Sequence, residues 1–169
     1  EAGRGASVAK ILELLDAAAR DFPKDADIYK AAARAVAVAS PDPARDIEAI
    51  GVVAVARGGS DENYARLYLH ISHHLGGLQT ARDLAIDWAR MRKGIAEIVD
   101  RYPVQWNIQN FAALTCAVGD AATTLSLMAK VRGRPVRQAW GQLEYFDKCK
   151  QWATAARAAS IRSRETGPS

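Results

Sequence analysis

The sequence predicts an all-α chain in which antiparallel helix pairs stack side by side. Three observations carry this expectation. Apolar residues recur every three or four positions through most of the 169 residues. Hydrophobic residues make up 49% of the chain, alanine is prominent, and Val, Ile and Thr form no alternating runs of the kind that mark strands. Residues 106–131 read as a helical hairpin. Asn110, Phe111 and Ala112 open a run that reaches Gly119-Asp120, a second run carries Leu125, Met128 and Val131, and Pro135 follows. Helix, tight turn, helix and proline within about 30 residues is the mark of a repeat built from helix pairs.

Eight helices are expected. The first spans about 6–21, with Ser7 as N-cap, a stripe of Val8, Ile11, Leu12, Leu15 and Ala18, and Phe22-Pro23 closing it. The second spans about 25–39 and ends at Ser40-Pro41-Asp42-Pro43. The third, about 44–56, places Ile47, Ile50, Ala54 and Val55 at helical spacing, and Gly58-Gly59 stops it. Ser60-Asp61 caps the fourth, whose core face is Tyr64, Leu67, Tyr68, Ile71 and Leu75, and Gly76-Gly77 ends it. The fifth, about 84–101, carries Trp88, Met91, Ile95, Ile98 and Val99 and stops before Pro103. The hairpin supplies the sixth and seventh. A basic loop, 132–137, leads to one long last helix at about 138–162, with Leu143, Phe146, Cys149, Ala153 and Ala156 on its apolar stripe. One domain is expected over 1–164, followed by a disordered tail, 165–169.

The net charge of +4 gives anionic partners only weak favour, because Lys and Arg are mixed with Asp and Glu along the chain. No apolar run approaches the ~20 residues of a membrane span. The first five residues carry no signal-peptide pattern and no initiator Met, so the sequence reads as a trimmed piece. A cytoplasmic location is favoured, with export the alternative if an upstream signal was removed. Cys116 and Cys149 have no CxxC and no zinc spacing. They are either buried thiols that pack as small hydrophobes or a disulfide tying two late helices, which would need Cα atoms within about 7 Å and an oxidising compartment.

The punctuation repeats: Asp21-Phe22-Pro23 and Arg101-Tyr102-Pro103 each follow a helix of the same apolar spacing. The first helix therefore reads as the second half of a repeat. Taken together, these residues resemble a tetratricopeptide-like domain. The block from Asp87-Trp88 through Trp106-Asn107, Asn110-Phe111-Ala112, Cys116, Gly119-Asp120, Trp140 and Phe146 to Cys149 and Trp152-Ala153 also resembles the C-terminal helical region of an uncharacterised proteobacterial family of domains of unknown function. The resemblance implies an irregular right-handed superhelix and a bacterial origin. It implies no reaction and no site residues. Both cysteines lie inside the resembling block, which keeps the disulfide as an alternative beside the buried thiols. Thr115 and Thr124 stand where such a hairpin would carry an aromatic residue and an alanine, and the link 76–83 is long for a repeat turn.

The inner face of such an array is the expected binding surface. With the second, fourth, sixth and eighth helices lining it, the candidates are Tyr29, Arg34, Arg66, His70, His73, Gln109, Asn110 and Lys148. Asn110 is the favoured contact, because an amide can clamp a peptide backbone with both its donor and its acceptor. All three histidines, His70, His73 and His74, fall on the fourth helix, and the i, i+4 pair His70 and His74 could bind zinc, copper or nickel. Trp88, Trp106, Trp140 and Trp152 are expected to fill gaps in the core. The run Lys130, Arg132, Arg134, Arg137 has no interleaved aromatics, so nucleic acid is not the expected partner. Phosphate-loop, nucleophile-elbow and metalloprotease motifs are absent from the sequence, and no cofactor is expected. The expected function is a non-catalytic scaffold binding a protein or peptide. The alternatives are a metal-binding or hydrolytic domain using the histidine flank, or a structural cap for a neighbouring domain.

Overall fold

The computed structural model describes residues 7–74 and 83–165. Its described residues form nine helices and no strand, so the chain is all-α. The chain divides into two compact units, Glu1–Ile98 and Val99–Ser169.

In the first unit, α1 (Val8–Asp21), α2 (Ala26–Ala39), α3 (Pro43–Gly58) and α4 (Glu62–His74) follow one another through short links. Local chemistry sets their ends. Ser7, Asp25 and Asp42 each accept a hydrogen bond from a backbone N–H in the first turn of the helix they precede. Pro43 opens α3, where no N–H is needed, and Gly59 closes it in the left-handed region at φ 71°. α1 packs on α2 and α3, α2 on α3 and α4, and α3 on α4. The core takes Ile11, Leu15, Ala33, Val36, Ile47, Ile50, Leu67 and Ile71. The link after α1 is tied down by the Pro23 carbonyl, which accepts from Tyr29 Oη at 2.8 Å and from Asn63 Nδ2 at 3.3 Å. Leu75, Gly76 and Gly77 lie outside the described residues.

Helix α5 (Trp88–Arg101) begins later than the expected residue 84. Asp87 explains the difference: its Oδ1 accepts from the N–H groups of Ala89 and Arg90 at 3.0 and 3.2 Å, which fixes the N-terminus there. Met91, Ile95, Ile98 and Val99 are buried along its expected stripe.

In the second unit, α6 (Gln105–Val118) and α7 (Ala121–Met128) form the expected hairpin, turned by Gly119 at φ 86° with Asp120 capping α7. α6 begins five residues before Asn110, which is therefore mid-helix and does not open the run. Thr115 and Thr124, foreign to a regular repeat, meet inside the hairpin. Thr124 Oγ1 stands 3.0 Å from Thr115 Oγ1, which in turn donates to the Ala112 carbonyl at 3.1 Å. Both hydroxyls are buried and satisfied.

The expected long last helix is broken. α8 (Arg137–Trp140) is one turn, Gly141 leaves the helical region at φ 70° and ψ −63°, and α9 (Leu143–Glu165) follows. The break turns Leu143 outward, so it is exposed and not part of the stripe, while Cys149 and Ala153 are buried. α9 continues through Glu165, so that residue is helical and not part of a tail, and 166–169 lie outside the described residues. α7 and α8 pack on α9, and α6 on α7, α8 and α9. Cys116 of α6 and Cys149 of α9 form a disulfide with Cα atoms 5.9 Å apart.

Candidate functional site

The polar residues expected to line an inner groove divide between the two units, and three of them are core residues. Tyr29 is fully buried, and its hydroxyl is used on Pro23. Gln109 and Asn110 are each 0% exposed. Asn110 Nδ2 donates to the Trp106 carbonyl of its own helix at 2.8 Å, and its buried Oδ1 has no hydrogen-bond partner. Gln109 Oε1 accepts from the Val136 N–H at 2.6 Å and from Trp140 Nε1 at 3.1 Å. The reason is tertiary. Residues 108–117 of α6 are buried without interruption, so polar side chains there face protein on every side. Arg66 is held by Glu62 one turn back, at 2.8 and 2.9 Å. Lys148 is exposed on α9.

The structure does bring Arg34, His70 and His74 together. Arg34 Nη1 lies 3.1 Å from His70 Nε2. A guanidinium has only donors, so Nε2 accepts and His70 is neutral with its proton on Nδ1. His74 Nδ1 donates to the His70 carbonyl at 3.0 Å, and the two rings stack with centroids 4.0 Å apart. Burial, reinforced by the nearby His74 and Arg34, pushes the His70 pKa from 6.5 down to about 4. A metal on His70 Nε2 would have to displace a cation already seated there. Among the described residues, no group of three or more His, Cys, Asp or Glu side chains is placed to hold a metal ion. His73 is exposed near the end of α4.

A cluster that the sequence reading did not single out lies on the other flank of α4. One oxygen of Glu48, Oε2, accepts from Tyr64 Oη at 2.6 Å and from Tyr68 Oη at 2.5 Å. The Asp87 N–H donates to Tyr64 Oη at 2.7 Å. Burial first, then the bond to Glu48, raises both phenol pKa values far above 10. These phenols are locked donors that join α3, α4 and the start of α5. Both tyrosines read from sequence as core, and Glu48 has no spacing signal of its own.

A concave surface with mixed chemistry belongs to the second unit. A half-open groove of about 500 Å³ is lined by the end of α5 (Val99, Asp100), the start of α6 (Gln105, Ile108), Pro103 between them, and Ala129, Lys130 and Arg132 after α7. Two glutamines one helical turn apart build its basic wall. Gln105 Nε2 donates to the Lys130 carbonyl at 3.2 Å, and its Oε1 accepts from the Arg132 N–H at 2.9 Å. Gln109 continues the pattern on Arg134 and Val136. Lys130 Nζ pairs with Asp100 at 3.6 Å. Tyr102, Val104 and Trp106 alternate in sequence with the lining residues Pro103 and Gln105 and are 44%, 54% and 49% exposed. The tryptophans thus depart from the expected core role. Trp140 alone is fully packed, edge-on to Phe146 with centroids 5.0 Å apart, whereas Trp106 and Trp152 are exposed and Trp88 is half-buried. Trp106 and the two glutamines carry a sequence signal, an i, i+4 amide pair that brackets one tryptophan and precedes a cationic loop.

A scan of family models, of curated proteins and of solved structures finds no match to this chain.

Proposed function

We propose that this chain is a non-catalytic helical module that binds a protein or peptide. One observation carries the reading: the groove of the second unit joins an apolar floor to a fixed basic wall, beside exposed Tyr102, Val104 and Trp106. Aromatic and arginine side chains are the residue types enriched at the centres of protein interfaces, and an exposed apolar cluster with a polar border is a usual mark of such a surface. The tetratricopeptide-like organisation and the bacterial family are part of the same proposal, supported by the α6–α7 hairpin and the proline-marked links. The hydrolytic or metal alternative draws no support from His70 and His74, where His70 Nε2 is engaged with Arg34 and His74 Nδ1 with the backbone. The disulfide favours an oxidising compartment, and hence export, over the cytoplasm. No helix among the described residues is long and apolar enough to cross a membrane.

Selection of displayed peptides on the immobilised chain tests the reading, with Ala129→Trp as a variant whose groove is filled. Peptides enriched on the parent and lost on Ala129→Trp are the expected result. No enrichment, or turnover by the parent across a panel of hydrolase substrates, would overturn it.

A further inference from the structure

We propose that the occupant of this groove is an acidic peptide segment that also carries apolar side chains. The inference rests on the binding-module reading above and names the partner's chemistry. Charge complementarity supports it first. Divided at the boundary of the two units, residues 99–169 hold ten Lys and Arg against five Asp and Glu, whereas residues 1–98 hold thirteen against fourteen. The whole-chain balance hides this asymmetry. Within the second unit, Lys130, Arg132, Arg134 and Arg137 fall in eight positions that contain no acid.

The wall is also preorganised. Gln105 and Gln109 bond the loop backbone at residues 130, 132, 134 and 136 as a neighbouring strand would. The loop backbone that carries the cations therefore needs little further ordering when a ligand arrives, which is where part of the affinity is otherwise lost. Lys130 is partly neutralised by Asp100, which leaves Arg132 as the principal anchor. Its planar guanidinium can grip a carboxylate through two parallel hydrogen bonds. The floor of Val99, Pro103, Ile108 and Ala129 requires an apolar side chain opposite it. Asp100 argues against nucleic acid: its carboxylate stands in the wall and repels a phosphodiester chain, whereas a peptide can turn an N–H toward it.

The test is fluorescence anisotropy with the full chain and three labelled probes. These are a dodecapeptide of repeating Glu-Leu-Asp-Phe, its counterpart with Lys and Arg in place of the acids, and a thymidine oligonucleotide of similar length. The acidic peptide is expected to bind, to weaken as salt rises, and to weaken by about tenfold or more in both Arg132→Glu and Ala129→Trp. Circular dichroism and the urea midpoint confirm that each variant is folded. Unchanged affinity in Arg132→Glu overturns the proposal, as does tighter binding of the oligonucleotide. Binding of the basic peptide instead, lost in Ala129→Trp, overturns the acidic occupant and leaves the binding module standing. If neither peptide binds, both readings fall.

Discussion

Gln109 shows how one buried amide can organise a loop. Its oxygen satisfies the Val136 N–H and the Trp140 indole, neither of which has another acceptor among the bonds described. Gln109→Leu keeps the volume and removes the acceptor, leaving two donors unmatched. A loss of about 2–3 kcal/mol in urea unfolding is expected, together with a change in Trp140 fluorescence; a stability within error of the parent would remove this role. His70 gives a pH dependence whose sign follows from geometry. Its folded pKa, about 4, lies below its ordinary 6.5, so the unfolded chain takes up a proton first. The stability associated with neutral His70 is complete above about 6.5 and is lost as pH falls toward about 4. His70 is partly solvated, and with screening discounted the loss is about 1 kcal/mol. His70→Gln keeps an acceptor for Arg34 and cannot titrate, so its stability should fall less than the parent's over that window. Parallel pH profiles would refute the assignment. From sequence, Gln109, Asn110 and Tyr29 look like groove residues because polarity suggests solvent. Only the elements packed around them make them core.

At the scale of elements, two close approaches set the first unit. A Cβ on Gly94 of α5 would fall onto the Asp61 carbonyl oxygen, and one on Gly51 of α3 would stand 2.7 Å from the Tyr64 ring, which Glu48 and Asp87 hold in place. Gly94→Ala gains helix propensity, yet it must push backbone from backbone. A net destabilisation of about 1–3 kcal/mol is expected in thermal or urea unfolding; a more stable variant would show that the contact yields. In the second unit, the disulfide closes a segment of sequence separation 33 that holds α7, the basic loop and α8. Its reduction, or the Cys116→Ala, Cys149→Ala pair, should lower stability by about 3–4 kcal/mol through the unfolded chain's regained freedom, read as a drop in Tm. Most helix ends were legible, because Ser7, Asp25, Asp42, Gly59 and Gly119 act within a few residues of themselves. The start of α6 was not, since Val104 precedes it without a side-chain cap bond. Gly141 was missed because apolar spacing continues across it, while its backbone breaks the helix.

At the scale of the molecule, charge is divided more sharply than composition suggests. Lys130→Glu with Arg132→Glu, and Lys10→Glu with Lys24→Glu, change the formal charge equally. The first pair removes a concentrated basic surface, so it should advance elution from a cation exchanger more than the second. Equal shifts would mean that no such patch is presented. The all-α class, the hairpin turn at Gly119-Asp120 and the centres of the buried stripes of α1, α3, α4 and α5 were legible in the sequence alone, because helix periodicity and capping are local. The grouping into two units, the joining of Cys116 to Cys149, the burial of Gln109 and Asn110, and the groove walled by Gln105 were decided by tertiary structure. Each of those depends on which surfaces meet across long stretches of chain, and apolar spacing states only that a face must be covered, not what covers it.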